Sequence, residues 1–125
     1  MNLEKVIFGF FVMLAATLNF GFVIGDMSNP DMHNKYEFVA AIVVNLIATV
    51  LKFGDRTQLG AVHLATSLVA SLQLLIAGAA WIMGQQHGMS PDEMASVVSL
   101  AAGAVLANLV SVVLLISETI SFQRR

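Results

Sequence analysis

The chain has no cysteine. Disulfides, thiolate metal sites and cysteine nucleophiles are excluded together. Charge is scarce as well. Only 11% of the 125 residues are Asp, Glu, Lys or Arg, whereas a soluble domain carries about 25%. No carboxylate stands deep in an apolar run, because Glu4 and Glu118 lie near run ends. Proton pumps and multivalent-cation carriers need buried carboxylates, so a coupled transporter with a charged central site is disfavoured. A passive pore is less affected. No TVGYG-like stretch occurs, which excludes a potassium filter of that kind.

What is present is apolar. Hydrophobic residues make up 58% of the chain and gather in four runs, at 6–24, 38–51, 59–83 and 94–116. A hydrocarbon core takes about 20 helical residues to cross. Helices satisfy their own backbone hydrogen bonds in lipid. The expected fold is therefore all-α, a polytopic membrane protein built as a bundle of four transmembrane helices. It forms one integral membrane domain over 1–125, with spans at about 5–25, 37–53, 58–83 and 91–120. The start is weakly basic, its apolar run is long for a signal segment, and no A-x-A site follows it. The first helix is thus expected to be retained.

Three short connectors separate the runs. The first holds Gly25, Asn29, Pro30 and Asn34, all turn formers. The second offers Gly54 as a helix stop. The third ends in Ser90-Pro91-Asp92-Glu93, a capping box with proline at the first helical position. With four spans, Lys5, Lys52, Arg56, Arg124 and Arg125 share one side and Lys35 alone lies opposite. The positive-inside rule then places both termini in the cytoplasm. The other face is acidic, with Asp26, Asp31, Glu37, Asp92 and Glu93. Such a rim concentrates cations at a pore mouth. Each of these residues also has a local use at a turn or helix start.

Polar side chains inside the spans are functional candidates. Helix 2 carries Asn45, with Ala41, Ala48, Thr49 and Lys52 on its side. Helix 3 carries a stripe of His63, Thr66, Ala70, Gln73, Ala77 and Gly84. Helix 4 carries Asn108, near Ala101, Ala104 and Ser111, and helix 1 has Thr17 and Asn19 near its end. These groups either line a path, with His63 as a proton carrier, or tie helices together by hydrogen bonds worth about 1 kcal/mol each. Small residues allow close helix approach: Gly21 and Gly25 as GxxxG, Ala61 with Ala65, Ser67 with Ser71, and Ser99, Gly103, Ala107 and Ser111 on helix 4. They serve the bundle or a second copy, and a homo-oligomer is expected.

Met27, Met32 and His33 in the first connector, and Met83, His87, Met89 and Met94 around the third, have the softness that suits Cu(I). Their spacing matches no metal motif, and methionine is a common filler. No metal or cofactor is therefore expected, nor a nucleic-acid partner. No paired catalytic groups share a depth, so an enzyme is not expected either. Two function classes stay open. One is a homo-oligomeric channel or passive transport protein for a small cation or neutral solute. The other is a non-conducting accessory subunit of a larger membrane transporter or complex.

The segment VNLIATVLKFGDRTQ at 44–58 and the start NLEKV at 2–6 resemble those of small four-span proteins of unknown function in proteobacterial inner membranes. The resemblance implies a multi-pass protein of the bacterial inner membrane. It brings no activity and no site residues.

Overall fold

The computed structural model describes residues 3–24, 35–54 and 57–123, with side-chain burial up to residue 120. Gly25, Asp26, Met27, Asp31, Met32, His33, Arg56, Arg124 and Arg125 lie outside the described residues. Four helices form: α1 Leu3–Val23, α2 Lys35–Lys52, α3 Gln58–Gln85 and α4 Pro91–Gln123.

Local chemistry explains where they begin and end. α2 stops before Phe53 and Gly54, and Gly54 takes φ +91°, a backbone state that costs glycine little. Thr57 caps α3 by accepting the Gly60 N–H at 2.9 Å. The expected capping box opens α4. Glu93 N–H donates to Ser90 Oγ at 3.2 Å, and Ser90 N–H donates to Glu93 Oε1 at 3.1 Å.

The helices close a four-sided bundle in chain order, with α1 packed on α2, α2 on α3, α3 on α4 and α4 back on α1. Ring contacts fix the directions. Phe8 and His63, both early in their helices, meet edge-on at 5.0 Å. Phe22 and Trp81, both late, lie 5.5 Å apart. α1 and α3 therefore run the same way, and α2 returns between them. Lys5 of α1 pairs with Glu118 of α4, so α4 runs opposite to α1. The end holding the starts of α1 and α3 is called proximal below, and the other end distal.

The interior has two apolar parts. At the distal end Phe22, Phe38 and Trp81 contact one another at 4.7–5.5 Å. Leu74, Met94, Val97 and Val98 pack with them, along with Ala41, Ala70, Ala77, Ala101 and Ala104. At the proximal end Phe8, Val12 and Ala48 form a smaller cluster. Outward, Phe10, Met13, Leu46, Val50, Leu72, Leu75, Leu106 and Val113 are exposed. In water so much bare apolar surface would aggregate; against lipid chains it is matched.

α1, α3 and the stretch Pro91–Ile120 of α4 are long and apolar enough to cross a membrane. α2 is not among these three. Its 18 residues include Lys35, Glu37 and Lys52, so charges occupy both of its ends. The molecule is thus an all-α four-helix bundle with the apolar helices of a multi-pass membrane protein.

Candidate functional site

Polar side chains are interleaved with the apolar ones along the interior. Asn19, Asn45, Thr49, His63, Ser67, Ser71, Asn108 and Ser111 are all buried, and they come from all four helices. They sit inside because each lies on the face its helix turns to its neighbours. On α1 that face is Phe8, Val12, Ala15, Ala16, Asn19 and Phe22, a 3.6-residue repeat.

The proximal group is hydrogen-bonded across helices. Thr66 Oγ1 donates to the His63 carbonyl at 2.9 Å and also meets Ser111 Oγ. A hydroxyl has one proton to give, so with Thr66 donating to the carbonyl its bond to Ser111 is one in which Thr66 accepts. Ser111 Oγ also lies 3.5 Å from His63 Nδ1. Beyond the Phe8 ring, Lys52 Nζ stands 4.4 Å from the ring centroid, in cation–π range. Next to them a cleft of about 620 Å³ opens between the start of α1 and the end of α2. Glu4, Ile7, Phe8, Leu51, Lys52, Phe53 and Gly54 line it.

The middle group is different. Thr49 and Ser71 link α2 to α3 at 3.1 Å, and Asn45 Nδ2 donates to the Ala41 carbonyl at 2.7 Å. Several amide atoms nevertheless lack a hydrogen-bond partner: both of Asn19, Oδ1 of Asn45, Oε1 of Gln73 and Nδ2 of Asn108. With about 1.5 Å of rise per residue, depths follow from the distal ring cluster. Asn19 lies about 4.5 Å below Phe22, Asn45 about 10 Å below Phe38 and Gln73 about 12 Å below Trp81. Asn108 lies about 21 Å below Met94. The groups thus form a staircase along the bundle rather than one shell.

The α3 stripe divides accordingly. Ala70 and Ala77 are packed in the distal core, while Thr66 and Gln73 are half-buried. Gln73 rests against Gly103, with Oε1 2.5 Å from where a Cβ on that glycine would stand. The small residues of α4 are therefore used largely within the chain. Gly103 seats Gln73, Ala107 packs on the distal core and Ser111 bonds Thr66; only Ser99 is exposed. Gly21 is close to the Glu37 carboxylate. Of the acidic group, Glu93 serves the capping box and lies 3.4 Å from His87 Nε2. Asp92 is exposed in the first turn of α4. Among the described residues no three His, Cys, Asp or Glu side chains gather as metal ligands.

Asn19 is named from the sequence only as a polar group near the end of helix 1 and Phe8 is not named at all, yet both are buried in this interior. Their signal was there, in the one-sided repeat of α1. No curated protein and no solved structure matches the chain. The sequence profile of DUF6394, a family of unknown function, matches residues 32–119, including the 44–58 segment that carries the resemblance, and the chain belongs to that family.

Proposed function

We propose that the protein is a multi-pass inner-membrane protein that provides a passive path for a small cation or neutral solute. The path runs through the interior of each bundle. One observation carries this reading: polar side chains of four helices converge inside, with amide atoms left without protein partners. Buried polar groups inside a membrane are costly, and they mark solute paths. The outside at the depth of Asn45 and Gln73 is Leu46, Leu72, Leu75 and Leu106. Copies assembled through that surface into a homo-oligomer would each keep their own path.

The direction of the helices supports four crossings. α1 and α3 run parallel, so α2 must return through the same thickness. Its 18 residues span about 27 Å, close to a hydrocarbon core of about 30 Å. The excess of Lys and Arg then puts the proximal end and both termini in the cytoplasm.

A second reading is a non-conducting accessory subunit. α4 favours it. Its 33 residues reach about 50 Å, several turns more than a span needs, and so offer a partner extra surface. Purified protein in liposomes separates the two. Flux of potassium, protons or a small neutral solute that Asn45→Leu diminishes supports the path. Silence toward all of them, with one larger membrane protein co-purifying, overturns it in favour of the accessory role.

A further inference from the structure

We infer that the species admitted by the bundle interior is water, and with it the proton that water relays, held by the amides of Asn19, Asn45 and Asn108. This rests on the conducting reading above and narrows its solute. The three side chains are more than nine-tenths buried, at 0%, 1% and 4% exposure. Together they offer two donor and two acceptor positions without protein partners: Nδ2 and Oδ1 of Asn19, Oδ1 of Asn45 and Nδ2 of Asn108. A mixed set of donors and acceptors fits water, which both gives and accepts hydrogen bonds. Buried waters typically satisfy such otherwise lone groups with about three bonds each. By helical rise the axial step from Asn19 to Asn45 is about 6 Å, a gap that one water can bridge, and that from Asn45 to Asn108 is about 10 Å, which takes a short run of waters.

A metal cation is poorly served by the same interior. A bare ion needs six or more oxygens, or carboxylates, to replace its hydration shell. Among the described residues no buried side chain is a carboxylate, and helical carbonyls are already engaged in backbone bonds. A hydrated ion brings its waters with it, and the interior also seats Phe8, Val12, Leu74 and Ala104. A single file of water needs neither charge nor such width. Along it, each oxygen takes a proton from one neighbour as it releases another to the next, so no net charge stays on any side chain. At the proximal end the file reaches Ser111, Thr66 and the His63 ring.

Full-length protein in liposomes, read with a pH-sensitive dye and separately with potassium and sodium indicators, decides the matter. Proton flux without metal-ion flux is expected. Asn45→Leu should lower it about tenfold, the rate effect of losing one buried hydrogen-bonding group. Potassium or sodium passing as readily as protons overturns the inference while leaving the conducting reading intact. No flux of any solute removes the conducting reading, and this inference with it. If Asn45→Leu does not fold, the unsubstituted protein still gives an answer. Water-edited solid-state NMR should show magnetisation passing from water to the side-chain amides of Asn19, Asn45 and Asn108 before it reaches the Leu74 methyls. Amides that stay as dark as Leu74 overturn the water file whatever the flux.

Discussion

Asn45 gives its amide protons to the Ala41 carbonyl and keeps Oδ1 without a protein partner. Its contribution to stability is therefore small. Asn45→Leu, close in volume and apolar, should change the unfolding free energy in detergent by no more than about 1 kcal/mol. Asn45→Asp should lose about 3 kcal/mol, the cost of a charge at mid-span. Titration from mild micelles into SDS reads both, and a large loss in the leucine variant would mean that the amide is a structural tie. Gly103 makes a second residue-scale case. A methyl there meets the mobile end of Gln73, whereas a branched chain has no space. Gly103→Val should cost about 1–3 kcal/mol by overpacking. Shortening Gln73 to Ala should recover much of that, since the clash is with its amide. Equal losses in the single and double variants would place the strain elsewhere.

Helix starts were legible because capping chemistry is local. Ser90 and Glu93 sit three residues apart in sequence and bond each other in the fold. Ser90→Ala should cost about 1 kcal/mol. The loss should show as faster amide exchange in the first turn of α4, with α3 unchanged; uniform protection would deny the cap its role. The facing of the α3 stripe was less legible. A stripe of Ala, Thr and Gln on one helix does not say whether water or another helix lies opposite. Gly103 and Ser111, thirty or more residues away, decide it here. Asn19 is legible as a polar group near the end of helix 1 but not as part of the interior. Its partner face exists only once α1 is laid against α2 and α4. α2, expected over 37–53, forms over Lys35–Lys52, and the charges Lys35, Glu37 and Lys52 stand at its ends.

At the scale of the molecule, the bundle topology turns sidedness into a sharp test. α1 and α3 parallel, with α2 and α4 returning, put the start of α1 and the end of α4 at one face. A reporter fused after Gln123 should be active in the cytoplasm, and one inserted at Asn29 should report the opposite side. The reverse pattern would invert the charge argument, and agreement between the two would remove one crossing. The general plan needed only apolar runs and short connectors to be read. The polar interior needed pairing between distant helices, which no single run records.

Trp81 is the chain's one tryptophan, and it is wedged between Phe22 and Phe38 at the distal end of the interior. The protein thus carries its own optical gauge at that point. While the three rings stay together, the indole is shielded from aqueous acrylamide and from brominated lipid tails, and its emission is blue. Any rearrangement that admits solvent from the distal side must part those rings first. Emission would then shift red and become quenchable from water, so the state of that end can be followed by light without labelling the protein.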